Sequence, residues 1–343
     1  MSERAAPQLG WIRAQGTPRA LGRSLGRAGR AAVHDVLLRA EYWKAVTDPA
    51  LQDRVRAMAA NVQARFPAIW EEIEGLAEGL ELPLEKVFAW NCRGDLMSNV
   101  PDGCTTVQLP GPRPVIGHNE DGLPGFLGHA FVASLAPQDG PGFLSFCYPG
   151  SLPGHTFAVT GAGLVQAVNN LRLHDVDARM PRMVTGRAVL GCSTLDEVLD
   201  LLRGNKDGGG FHMTLAQAGD GRLVSVEFGG GACSEKILDR PALHANHALH
   251  LRRGTDGQSI TRSSADRQAH GAQLVSDGAA DPLAILRDKG GPGLPIHRTA
   301  PDDPDCENTL ATAVFRVEET GVDWTIYDQN SKTSVFEGRY SRT

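Results

Sequence analysis

The spacing of apolar residues changes character at Cys104, and that change limits the folds open to this chain of 343 residues. Before it the spacing is helical. Thr17 and Pro18 supply a capping hydroxyl and a proline at the first helical position, and Leu21, Leu25, Val33 and Leu37 then recur on one face. Asp48-Pro49 opens a second helix striped by Leu51, Val55, Met58 and Val62, and Pro67 a third carrying Ile69, Ile73 and Leu76. Pro83 opens a fourth with Val87 and Trp90, ending near Asn91. From Cys104 onward, short runs at 105–109, 114–118, 130–134, 143–147, 157–160 and 164–169 are divided by Gly/Pro turns, which is a strand pattern.

Helical spacing returns at 181–190 and after Thr194, where Thr194 and Glu197 match a capping box. Strands follow at 211–216, 223–228 and 233–238, helices at 263–275 and 282–287, and strands at 310–317 and 322–328. Strands and helices grouped in separate blocks predict an α+β protein of antiparallel sheets covered by helices, and two such sheets packed together make a four-layer sandwich. Stretches 253–264 and 288–305 are expected to be long loops, and Gly208-Gly209-Gly210 a flexible turn. Acids outnumber bases by 40 to 34 without clustering, which excludes a nucleic-acid footprint. No apolar run approaches the roughly 18 residues of a membrane span. The arginines between 4 and 30 are read as the wet face of the first helix rather than a transit peptide. Six scattered cysteines without a CxxC pair are expected to be reduced thiols of a cytoplasmic protein.

Chemistry concentrates in a few segments. Gly103-Cys104-Thr105-Thr106 reads as a hidden N-terminus: a thiol at the start of a strand, after a bare glycine, could attack the carbonyl before it and emerge beside its own amine. A half-buried structural cysteine is the alternative. His118-Asn119-Glu120-Asp121-Gly122 is a polar cluster ending the next strand, or else an ordinary turn. His244-Ala245-Asn246-His247 places a side-chain amide, a competent oxyanion donor, between imidazoles. His244, His247 and His250, three apart, would not converge on either a helix or a strand, so no metal is expected. Arg93 and Asp95 either hold the loop 93–103 or form a surface ion pair.

With Asn169-Asn170-Leu171, these segments resemble, in order and rough spacing, the acyl-coenzyme A:6-aminopenicillanic acid acyltransferase family of autoproteolytic cysteine N-terminal-nucleophile (Ntn) hydrolases. Gln15-Gly16-Thr17-Pro18 looks like that family's first strand and helix, and Ser264-Ala265-Asp266-Arg267 and Ile296-His297-Arg298 resemble its closing segments. The resemblance implies an αββα sandwich cut between Gly103 and Cys104. Residues 1–103 would form a helical, prosegment-like α chain and 104–343 a β chain, retained together as one domain. Cys104 would be the nucleophile and its new amine, with a reference pKa of about 7.7–8.0, the base. By position Asn246 would donate to the oxyanion, Asp121 would orient the amine and Asn169 would support the pocket floor. Asn119, Glu120, His247 and Arg298 would border the substrate. Glu120 stands where the family has an aromatic, which implies a polar pocket for a substrate bearing an amine; Pro295-Ile296-His297-Arg298 departs from the family's serine before Cys-Arg. The expected activity is amide hydrolysis of a small N-acyl or aminoacyl amide through a Cys104 thioester, without cofactor. Acyl transfer to an amine and an unprocessed binding protein are the alternatives, and a homo-oligomer is left open.

Overall fold

The computed structural model describes residues 9–97, 103–252, 257–300 and 302–342. Two sheets lie face to face. In spatial order the larger runs Gly10–Gly16, Phe131–Pro137, Phe143–Cys147, Phe157–Thr160, Leu164–Leu171, Gly210–Gln217, Leu223–Gly229 and Ala232–Ile237. The smaller runs Ala242–His244, Gly103–Leu109, Val115–Gly122, Asn308–Val317, Gly321–Asp328 and Phe336–Ser341. Phe157 of the larger sheet meets Phe315 and His118 of the smaller, with ring centroids 6.0 and 5.9 Å apart, so the space between the sheets is a packed interior. Helices Pro18–Asp35 and Leu195–Gly204 cover the larger sheet, and Arg262–Ser276 and Pro282–Leu286 the smaller, giving the αββα layering.

The first hundred residues are not all helical. Strand Gly10–Gly16 pairs in parallel with Phe131–Pro137 and forms the edge of the larger sheet. Above it, helices Pro18–Asp35 and Pro67–Leu80 cross closely because each carries glycines four residues apart at the contact. A Cβ on Gly22 would lie 1.8 Å from the Glu72 carbonyl oxygen, and one on Gly75 would lie 2.0 Å from that of Arg19. Arg19 and Arg23, on the face expected to be wet, pair at the surface with Glu74 and Glu78 of the neighbouring helix.

Two local expectations are corrected. Residues 93–103 do not begin as a loop: Arg93–Leu96 is a short helix, while 98–102 fall outside the described residues. Arg93 and Asp95 are both buried rather than a surface pair. Asp95 accepts the Gly209 and Arg182 N–H groups at 2.6 and 3.1 Å, and burial, opposed by Arg182, Gly209 and Arg93, raises its carboxyl to about 6. The triple glycine is accordingly a tight packing site, since a Cβ on Gly209 would lie 2.3 Å from the Gly94 oxygen. Among the described residues no disulfide forms, and no helix is long and apolar enough to cross a membrane.

Candidate active site

Cys104 is the second residue of strand Gly103–Leu109, which forms a hairpin with Val115–Gly122. The register pairs Gly103 with Asp121, Cys104 with Glu120, Thr105 with Asn119 and Thr106 with His118. Directly opposed residues share a face. Cys104, Thr106, His118 and Glu120 therefore look toward the larger sheet, while Gly103, Thr105, Asn119 and Asp121 look toward the helices covering the smaller one.

On the strand's other edge, the pairing of Thr106 with His244 leads on to Asn246 opposite Cys104. There a side chain replaces the ladder: Asn246 Oδ1 accepts the Cys104 N–H at 2.9 Å. Arg267 Nη1 donates to the Cys104 carbonyl at 2.6 Å and to Thr105 Oγ1 at 2.8 Å, and its Nη2 donates to Asn246 Oδ1 at 2.7 Å. A guanidinium only donates, so it fixes the amide orientation of Asn246. The Asn246 amide nitrogen is turned away, donating to the Asn170 carbonyl at 3.2 Å. Asn246 thus holds the Cys104 nitrogen, the place expected of Asp121, and does not present the oxyanion donor expected of it.

On the inward face, Cys104 Sγ lies 3.7 Å from Glu120 Oε2, which lies 3.0 Å from His118 Nε2. Tyr148 donates to Glu120 Oε1 at 2.9 Å. All of these groups are buried. Glu120, expected to make the pocket polar for a substrate bearing an amine, is engaged in the uncut chain with groups of the protein. Asn169 sets the direction of the network. Its amide nitrogen donates to the His244 carbonyl at 3.1 Å, so its oxygen accepts from Thr106 at 2.7 Å and from His212 Nδ1 at 2.9 Å. The Thr106 hydroxyl, having spent its proton, must accept from His118 Nδ1 at 2.8 Å. His118 Nε2 and Glu120 Oε2 are left to share one proton. Burial pushes the His118 imidazole down to about 3. Farther along, His212 stacks on His244 at 3.5 Å, and the His244 ring meets Glu227 at 2.8 Å. Burial pushes Glu227 up, but His244, His250 and the Leu249 N–H outweigh it and hold the carboxyl at about 2.

Cys104, His118 and Glu120 bring a sulfur, a ring nitrogen and a carboxylate oxygen within 4.8 Å of one another. The hydrogen bonds above account for the cluster as an acid–base group. His244, His247 and His250 do not converge: His244 and His250 flank Glu227, whereas His247 bonds Ser264 at 2.8 Å.

The outward face is ionic. Asp121 Oδ1 accepts from Thr309 at 2.6 Å, while its buried Oδ2 has no hydrogen-bond partner among the described residues. Burial raises its carboxyl, against the pull of Arg267 and Arg298. A Cβ on Gly103 would lie 2.2 Å from Glu307 Oε2 and 3.3 Å from Arg298 Nη1, so a side chain there would have to displace the Glu307 carboxylate. Glu307 is paired with Arg298 and, at 3.1 Å, with Arg172; burial, opposed by these cations, raises it to about 7. Arg298 also bonds Asp303 through Nε at 2.9 Å. Asn119 belongs to the scaffold: it donates to the Leu286 carbonyl and accepts from Thr312, both at 2.7 Å. The sequence places Arg267 only inside a motif and leaves Glu307 and Arg172 unmarked, yet these three frame the junction.

A sequence profile of the family described as acyl-coenzyme A:6-aminopenicillanic acid acyl-transferase matches residues 109–332. The chain is 24% identical over 334 residues to the 40 kDa form of acyl-coenzyme A:6-aminopenicillanic-acid-acyltransferase from Emericella nidulans, covering 89% of this chain and 88% of that one. It is 30% identical over 164 residues to the β-alanyl-dopamine/carcinine hydrolase of Drosophila melanogaster, and that match spans 42% of each protein. Among solved structures, a mutant of the conjugated bile acid hydrolase of Clostridium perfringens aligns with a TM-score of 0.44 at 12% identity, covering 70% of this chain and 98% of that one.

Proposed function

We propose, for a chain that belongs to the acyl-coenzyme A:6-aminopenicillanic acid acyl-transferase family, that it cuts itself between Gly103 and Cys104 and then hydrolyses a small amide through a Cys104 thioester. One observation carries this reading: the amide nitrogen and carbonyl of Cys104 are both held by side chains, Asn246 and Arg267, while the thiol faces an acid–base pair. A structural thiol needs no such clamp. Cys104 is 2% exposed in the uncut chain, so before the cut its thiol is closed to any other amide. The amide N–H then becomes an amine, a base of pKa about 7.7–8.0, still bonded to Asn246. Asp121, paired with Gly103 across the hairpin, keeps a buried Oδ2 without a hydrogen-bond partner among the described residues. Residues 1–103 stay attached, because strand Gly10–Gly16 is paired into the larger sheet, helix Pro18–Asp35 packs on that sheet, and Pro67–Leu80 is locked to this helix by their glycine notches.

The relative whose name specifies a β-alanyl amine supports an aminoacyl or N-acyl amide as substrate class. The relative aligned over most of the chain favours a second reading, transfer of the acyl group to an amine instead of water. Intact mass and denaturing electrophoresis test the proposal. Two fragments divided after Gly103, absent in Cys104→Ala, are expected, together with amidase activity lost in that variant. A single uncut chain, or Cys104→Ala retaining activity, overturns it. Partition of the product between acid and acyl amine in the presence of added amines separates hydrolysis from transfer.

A further inference from the structure

The amine that serves as base during turnover does not exist before the chain is cut, because the Cys104 nitrogen is still an amide. Another group must take the thiol proton for the first reaction. Resting on the proposed self-cleavage, we propose that Glu120 is this base, with His118 as its proton partner, and that the pair is used chiefly for maturation.

Three observations carry the assignment. Glu120 Oε2 is 3.7 Å from Sγ and on the same face of the hairpin, whereas Asp121 lies on the opposite face. His118 Nε2, 3.0 Å from the same oxygen, meets no other donor among the described residues, and its Nδ1–H is committed to Thr106 and Thr106 to Asn169. Glu120 and His118 thus hold one proton between two acceptor sites, with room for a second. The Tyr148 hydroxyl, donating to Oε1 at 2.9 Å, stabilises negative charge on the carboxyl while the proton moves.

The step balances without an outside reagent except one water. Glu120 passes the shared proton to His118 Nε2 and takes the Sγ proton in its place, so the pair becomes doubly protonated. The thiolate forms a bond to the Gly103 carbonyl carbon, the C–N bond to Cys104 breaks, and the departing nitrogen takes the proton back from the pair. This leaves a Gly103 thioester on Sγ and a free Cys104 amine. Water then cleaves the thioester, releasing the Gly103 carboxylic acid and restoring the thiol. A buried imidazole is a weak proton acceptor, but maturation occurs once per molecule and tolerates a slow step.

The experiment follows freshly translated full-length chain in a cell-free system, measuring cleavage against time, and then measures turnover per cut molecule after cleavage is complete. General-base removal is expected to slow cleavage about 100-fold or more in Glu120→Gln, with a clear slowing in His118→Gln. Turnover of cut Glu120→Gln should fall by less than a tenth of that factor. Glu120→Asp, which keeps the carboxyl, should cleave faster than Glu120→Gln; circular dichroism identifies folded variants. A folded Glu120→Gln or, where it does not fold, a folded Glu120→Asp or His118→Gln that cleaves at the wild-type rate overturns the assignment. So does an equal fall in cleavage and turnover. A wild-type chain that is never cut overturns the proposed function and this inference together, whereas a cut wild type with unaffected variants overturns this inference alone.

Discussion

The two faces of strand Gly103–Leu109 solve the burial of polar groups in opposite ways. Inward, Thr106, His118, Glu120, Asn169 and His212 form a directed chain of hydrogen bonds with few full charges. Outward, Arg172, Arg267 and Arg298 are packed against Asp121, Asp303 and Glu307. The neutral side holds the thiol, where the proposed cleavage moves a proton; the ionic side holds the backbone, which the same proposal requires to stay still. Buried ion pairs are poor sources of net stability but costly to break singly, which suits a fixed clamp.

The largest break in this comparison comes from Arg267, whose guanidinium ties Cys104, Thr105, Asn246 and Ser263 together. Arg267→Met keeps an unbranched apolar stem but leaves the buried Cys104 carbonyl and Asn246 oxygen without this donor. Cleavage after Gly103 is expected to fall about 1000-fold, followed by electrophoresis, and stability by about 3–5 kcal/mol, read from urea unfolding. Cleavage at the wild-type rate in a folded variant would show that the outward clamp does not position the junction.

A smaller effect separates the faces by the sign of their pH dependence, measured in the Cys104→Ala background so that every chain is uncut. His118 is pushed down from 6.5 to about 3, so the unfolded chain binds the extra proton in that window. Its contribution is complete above pH 6.5 and is lost as pH falls toward 3. Glu307 is pushed up from 4.5 to about 7, so here the native chain holds the extra proton and stability falls as pH rises from 4.5 to 7. Between pH 4.5 and 6.5, His118→Gln should therefore flatten the rise of stability with pH, and Glu307→Gln should steepen it. Each change is on the order of 2 kcal/mol from the linkage of one proton over that window. Shifts of the same sign in the two variants would erase the distinction.

How far the sequence reveals this depends on whether packing or polarity organises the segment. Runs 143–147 and 157–160 coincide with strands Phe143–Cys147 and Phe157–Thr160, because continuous apolar runs between turns have little else to become. Strand Phe336–Ser341 escapes this reading, since FEGRYS is polar and mostly exposed at a sheet edge. Helix Arg262–Ser276 is legible as an element but not by face: its buried positions are Ser263, Ser264, Arg267 and Gly271, so a search for an apolar stripe passes over the residue that clamps the strand of Cys104. Gly103, Cys104, Asp121 and Asn246 stand out because they occur in short motifs. Glu307 does not, because the chain brings it to Gly103 only through folding, 204 positions later in sequence.

Asn119 supplies the finest test, because strand alternation alone separates it from the thiol. It faces away from Cys104, and Thr312 donates to its oxygen at 2.7 Å within the smaller sheet. Thr312→Val keeps the β-branched shape and removes the hydroxyl, leaving a buried acceptor short of one bond. A loss of about 1–2 kcal/mol is expected in urea unfolding, with unchanged rates of cleavage and turnover. A change in turnover without a change in stability would return Asn119 to the substrate side, and the division of the hairpin into a chemical face and a supporting face would then fail at its nearest boundary.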